Sequence, residues 1–233
     1  MRNVLARTIT KILAKQAYEK GKRNKKDMIK GKNRLFIVVD VQNDFVSGSL
    51  GSEAAQNVIP LMCEYLKDIC EDESTRKIIF TQDTHFNDKS EDARLEGNTP
   101  YDETLEGEML PVEHCIKDTW GWEIVPEVKE AVSSFKNVSY CQKRTFMSEK
   151  LINHLVHQQE NSDTDSSNSF DEIVIFGFCT SICVLSNALA LRGYFPNMKI
   201  TLIENLCADI DEESHYSAEI CARNCQINVA RIF

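Results

Sequence analysis

The chain has 233 residues, a formal net charge of −9 and nine cysteines. That length gives one large domain or two small ones, with room for a substantial core. Charge is polarised: residues 1–33 hold eleven Lys or Arg against Glu19 and Asp27, net +9, which leaves −18 on the other 200. So acidic a body repels phosphate and excludes a general nucleic-acid binder. No run reaches the roughly 18 apolar residues of a membrane helix, and no signal-peptide apolar core is present. Nine scattered cysteines without a framework spacing point to free thiols in a reducing, cytoplasmic compartment.

Residues 1–33 read as a basic N-terminal extension ahead of a folded body at 34–233. Val4, Ile9, Ile12, Leu13 and Ala17 fall near helical spacing among basic residues, with no acid before Glu19. This fits a loosely helical arm or an organelle-targeting segment. Arg34–Asp40 is an apolar run ending in an acid, the pattern of a strand buried on both faces. Ala54–Ile69 has helical periodicity, Lys77–Thr81 is a second strand, and residues 86–119 read as a long ordered loop, a length usually tied to function. Helix is expected over Val125–Phe135, strand over Asn137–Cys141, and helix over Ser148–His157. Gln158–Ser169 is polar and low in complexity, a disordered surface insertion. Strand 172–176, helix 180–192, strand Met198–Glu204 and helix 211–224 follow, with a final strand expected at Ile227–Ile232.

Strands alternating with helices predict a three-layer α/β/α fold around a mostly parallel sheet. Ligands and chemistry collect at the carboxyl ends of such strands. Asp40, then Asp83 and His85, then Lys143, then Cys183 follow successive strands, so these side chains are expected to converge on one edge. Cys183 falls in the first turn of a helix after Gly177, where unpaired N–H groups and the helix dipole are expected to lower its pKa and favour the thiolate.

Five motifs lie in order: Val38-Val-Asp-Val-Gln-Asn-Asp-Phe45, Thr81-Gln-Asp-Thr-His85, Leu110–Trp122 with His114 inside it, Lys143-Arg-Thr-Phe146, and Gly177-Phe-Cys-Thr-Ser-Ile-Cys183-Val. Together they resemble the isochorismatase-like cysteine hydrolases, nicotinamidase branch, over residues 34–232. The resemblance implies an Asp40–Lys143–Cys183 triad in which Cys183 attacks an amide carbonyl and forms a thioester. Asp40 would act as general base and then acid, and Lys143 would hold Asp40 ionised and support the thiolate. It also implies a cis peptide at Phe178–Cys179, an oxyanion hole from the N–H groups of Cys179 and Cys183, and substrate contacts from Phe45 and Phe178.

A single divalent metal ion is implied as well, Zn²⁺ first and Fe²⁺ or Mn²⁺ otherwise. Asp83, His85 and His114 match three ligands. The fourth is a His or a Glu among relatives; Glu106, eight residues before His114, is taken here, with Asp102, Glu103 and Glu108 as rivals. Two departures bear on the substrate. Met109–Glu113 lacks the Trp that many nicotinamidases place before the metal-binding His, unless Trp120 or Trp122 compensates, and Arg144 stands where Gly is common after the lysine. The expected activity is hydrolysis of nicotinamide to nicotinate and ammonia, as a homo-oligomer. The alternatives are hydrolysis of another small amide or carbamoyl compound, or a catalytically silent binding module.

Overall fold

The computed structural model describes residues 33–160 and 169–232. The expected basic extension and most of the expected insertion fall outside these. Strands β1 (Arg34–Val39), β2 (Thr75–Asp83), β3 (Val138–Lys143), β4 (Glu172–Gly177), β5 (Lys199–Ile203) and β6 (Asn228–Ala230) form one sheet in the order β3-β2-β1-β4-β5-β6. Every pairing is parallel. The apolar runs explain the order. All six residues of β1 and of β4 are buried, and these two pair at the centre, whereas β3 and β6 are partly exposed edges.

Among the helices are α1 (Asn43–Val46), α2 (Glu53–Cys70), α3 (Glu91–Leu95), α4 (Leu105–Met109), α5 (Pro126–Ala131), α6 (Glu149–Glu160), α7 (Leu185–Tyr194) and α8 (Glu212–Asn224). α2 packs on α5, while α6, α7 and α8 pack as a second row. Because parallel crossovers are right-handed and the strand order reverses at β1, the two rows cover opposite faces. That reversal also makes the carboxyl ends of β1 and β4 a topological switch point, where a crevice opens.

Several boundaries differ from expectation for local reasons. Residues 86–119 are not bare loop: Ser90 accepts from Ala93 N–H (3.2 Å) and Thr104 from Gly107 N–H (3.0 Å), capping α3 and α4. α5 stops at Ala131, where Ser133 Oγ turns back to the Glu130 carbonyl (2.8 Å). α6 continues through Glu160, so residues 158–160 are helical. The predicted helix 180–192 is two pieces. A π-helical turn at Thr180–Val184, closed by Val184 N–H on Cys179 O (3.0 Å), precedes α7.

Candidate active site

The central side chains sit at or beyond the carboxyl ends of strands. Asp40 follows β1 with φ of 48°, a left-handed conformation uncommon for a non-glycine residue. Its carboxylate is 0 % exposed and accepts from Thr81 Oγ1 at 2.7 Å. Lys143 ends β3 and points its ammonium between two acids, 2.8 Å from Asp40 Oδ2 and 3.0 Å from Asp83 Oδ1. The same Nζ lies 3.4 Å from Cys183 Sγ. Gly177, with φ of 132°, lets β4 pass β1; a Cβ there would meet the Val39 carbonyl at 2.1 Å. The turn after it, with a cis peptide at Phe178–Cys179, brings Cys183 over the strand ends.

Burial dominates the electrostatics. It pushes Asp40 above the usual carboxylate range, with Lys143 opposing. Burial would raise Asp83 as well, but Lys143 and hydrogen bonds from His114 and His85 hold it well below. Lys143 would be driven toward neutrality by burial, yet Asp40, Cys183 and Asp83 keep it well above its usual value. The expectation of a lowered Cys183 pKa is overturned. Burial first, then Asp40 and Asp83, push the thiol well above its ordinary value, with Lys143 opposing. The sulfur sits buried in a π-helical turn facing two carboxylates, which favours the protonated thiol. A buried thiol near a carboxylate that burial also pushes up suits proton transfer during attack rather than before it.

The intervening N–H groups of the turn are committed. Thr180 donates to Ala208 O (3.0 Å), Ile182 to Cys179 O (3.3 Å), and Ser181 to Asp209 Oδ2 (2.7 Å). None of these bonds uses the N–H of Cys179 or Cys183.

Beside this cluster, Asp83, His85, Glu106 and His114 bring one ligand atom each within 4.8 Å of one another. Glu106 Oε1 lies 3.8 Å from His85 Nε2 and 3.5 Å from His114 Nε2, and Asp83 Oδ2 lies 3.1 and 3.6 Å from the same nitrogens. Its rivals are engaged elsewhere: Asp102 pairs with Lys89 (2.6 Å) and Glu103 with Arg94 (2.6 Å), while Glu108 is exposed. The donor set fits a divalent cation. His114 Nδ1 is 2.9 Å from Val112 O, which places its proton there and turns the Nε2 lone pair inward. Although burial would lower the His114 pKa, hydrogen bonds to Asp83 and Glu106 push it up to about 10. Asp83 joins the two clusters, one oxygen on Lys143 and the other on the histidines.

Phe45, 7 % exposed, meets the His114 ring edge-on at 5.6 Å, and Phe178, 1 % exposed, lies in the core. Trp122 donates its indole N–H to Thr84 Oγ1 (2.9 Å), and Trp120 is 60 % exposed. A cavity of about 380 Å³ reaches Lys143 but not Asp40 or Cys183. It adjoins the buried cluster without opening onto the thiol.

Three supports went unnoticed in the sequence. Gln42, fully buried, donates to Asp83 O (2.9 Å) and accepts from Asp83 N–H (2.7 Å), clamping that residue on both sides. Asp44 accepts from Cys115 N–H (2.7 Å), next to His114. Both stand inside the first motif, which was the available signal. Tyr101 packs on His85 and His114 (centroids 4.9 and 5.2 Å) and donates its hydroxyl to Leu110 O (2.7 Å). No sequence pattern marked it.

The isochorismatase domain family matches residues 34–229. The chain is 26 % identical over 219 residues to the nicotinamidase of Saccharomyces cerevisiae, covering 84 % of this chain and 98 % of that protein. Its fold is similar to the nicotinamidase/pyrazinamidase of Bacillus subtilis, with TM-score 0.63 and 22 % identity over 85 % of this chain and 100 % of that one. The pyrazinamidase of Pyrococcus horikoshii in complex with zinc gives TM-score 0.61 and 21 % identity, over 85 % of this chain and 99 % of that one. The matched span takes in all of the sheet but its last residue, Ala230, and every residue of the two clusters, so the chain belongs to the isochorismatase domain family.

Proposed function

We propose that the protein is a metal-containing cysteine amidohydrolase that converts nicotinamide to nicotinate and ammonia. The observation that carries this reading is a buried Asp40–Lys143–Cys183 cluster joined through Asp83 to a four-residue cation site. Its relation to a yeast nicotinamidase along nearly that protein's whole length supports the substrate.

In this reading the Cys183 thiol gives its proton to Asp40 as sulfur attacks the amide carbonyl. The developing oxyanion is received by the N–H groups of Cys179 and Cys183. Asp40 passes the proton to the departing nitrogen, releasing ammonia and leaving a thioester on Cys183. Asp40 then takes a proton from water, whose oxygen attacks the thioester, and the proton returns to the sulfur. Lys143 keeps the charge of the cluster balanced throughout. Phe45 and Phe178 line the ring-binding side. Asp83, His85, Glu106 and His114 would hold one divalent ion, zinc by donor type and by the zinc-bound relative, with Fe²⁺ or Mn²⁺ compatible. The ion supplies a Lewis acid that can orient a ring nitrogen.

Nine free thiols support a reducing, cytoplasmic setting, and no described helix is long and apolar enough to cross a membrane. We take the working form to be a homo-oligomer, a point for sedimentation analysis. The test of function is ammonia release from nicotinamide with bound metal quantified on the same sample. Turnover with about one metal per chain, as a single four-ligand site requires, and none in Cys183→Ala is the expected result. Full activity in Cys183→Ala would sink the mechanism. Bound metal without turnover would send the substrate search to other small amides.

A further inference from the structure

The turn that carries Cys183 is gripped from α8 by a group the chemistry above does not use. Thr180 Oγ1 lies 2.8 Å from His215 Nδ1, and His215 Nε2 lies 3.2 Å from Glu219 Oε1. Burial opposes ionisation of Glu219, but a hydrogen bond from Glu204 and the Arg223 guanidinium hold its carboxyl below the usual range. Arg223 reaches Glu219 Oε2 at 3.0 Å. With Glu219 accepting from Nε2–H, the bond geometry pairs Nδ1 with the Thr180 hydroxyl.

By distance this is the nucleophile–base–orienter order of a hydrolase. Thr180 is 0 % exposed, however, so its oxygen meets no substrate. What the chain of bonds can do is hold a backbone. Thr180 is otherwise tied through its N–H to Ala208 O (3.0 Å) and through its carbonyl to Leu185 N–H. Ser181 next to it gives both N–H and Oγ to the Asp209 carboxylate (2.7 and 3.0 Å). His215 adds the side-chain pin that fixes the Thr180 rotamer, and with it the peptide planes between Cys179 and Cys183.

We propose that His215, oriented by Glu219, is a positioning residue that acts through Thr180 to keep the Cys179 and Cys183 N–H groups aimed at the oxyanion. This rests on the reading of Cys183 as the nucleophile. Thr180 and His215 touch no reacting atom, so their removal should cost rate and leave binding alone.

The test compares Thr180→Val, Thr180→Ser, His215→Phe and the Thr180→Val/His215→Phe pair in the metal-loaded protein. Thr180→Val and His215→Phe should each lower kcat about tenfold to a hundredfold, up to the cost of misplacing a reacting group by about 1 Å and short of the outright loss of an oxyanion donor. KM and metal content should stay at the wild-type level. The double variant should be no worse than the worse single one, because both remove the same bond, and Thr180→Ser should recover most of the rate. Additive losses, a serine variant as poor as the valine one, or a change in KM alone would overturn the proposal. If Thr180→Val does not fold, His215→Gln against His215→Phe makes the same comparison at a site whose side chain is 26 % exposed. If the wild type releases no ammonia, the nicotinamide reading fails on its own. The variants are then ranked by the rate at which p-nitrophenyl acetate acylates Cys183, a step that passes through a tetrahedral oxyanion, with the acetylated residue located by mass spectrometry. Slower acylation in Thr180→Val and His215→Phe than in the wild type and Thr180→Ser upholds the proposal, and equal rates refute it.

Discussion

Lys143 is one cation facing two buried carboxylates and a thiol, with Asp40 Oδ2 at 2.8 Å and Asp83 Oδ1 at 3.0 Å. Removing a partner from such a group leaves charge buried without compensation, at about 3–5 kcal/mol. Lys143→Met is therefore expected to abolish activity and to lower the melting temperature at neutral pH. The sign follows from the acids. Asp83 is held well below its usual value in the folded wild type. Its contribution is present above the unfolded carboxylate range and is lost as pH falls through the depressed value. With Lys143 gone, both acids can take protons, so the deficit of the variant should shrink as pH is lowered. Thermal scans of both proteins across the acid range decide it. Equal melting temperatures at neutral pH would show that the pair contributes no net stability.

The long helix α2 shows how far one element can be argued alone. Ser52 caps it by accepting from Ala55 N–H (3.1 Å). Ala55, Ile59, Met62, Leu66 and Ile69 recur at spacings of four and three and are all buried. Asp68, on the same helix, is pushed up to about 6, by burial first and by the Glu71 charge second. A raised carboxyl contributes stability that is full below its unfolded pKa and is lost as pH rises through the folded one. Ionised Asp68 thus weakens the fold near and above neutrality. Asp68→Asn should raise the melting temperature at about pH 8 and change little at about pH 4. A larger gain in acid than in base would contradict the assignment.

At the scale of the molecule, the proposed cation site ties together segments that no helix or strand joins. Asp83 ends β2 and His85 follows it, Glu106 rides on α4, and His114 lies in the loop beyond. The seat of Glu106 depends on Gly107, where a Cβ would stand 2.0 Å from the Tyr101 carbonyl. A ligand that binds only the folded form stabilises it by about 2.7 kcal/mol at a hundred times its dissociation constant. Stripping the metal with a strong chelator should lower the melting temperature, and adding Zn²⁺ back should restore it. Identical transitions before and after verified removal would mean that the loop is held without an ion.

The apolar runs of β1 and β4, the periodicity of α2 and the alternation of strand with helix determined the fold class from sequence alone, and the edge on which Asp40, Asp83, His85, Lys143 and Cys183 were expected to meet; their division into a proposed triad and a proposed cation site came from the family motifs. These are local patterns, and parallel βα units carry the residue after each strand to one edge. Asp40, Lys143 and Cys183 could therefore be placed on one edge before any distance was known. Tertiary structure decided what depends on distant residues. It selected Glu106, because Asp102 and Glu103 are taken up by Lys89 and Arg94. It made Gln42 and Tyr101 supports of Asp83 and the two histidines. It also reversed the expected ionisation of Cys183. A helix start favours a thiolate, but complete burial opposite two carboxylates outweighs that preference, and no neighbouring residue in the sequence announces such burial.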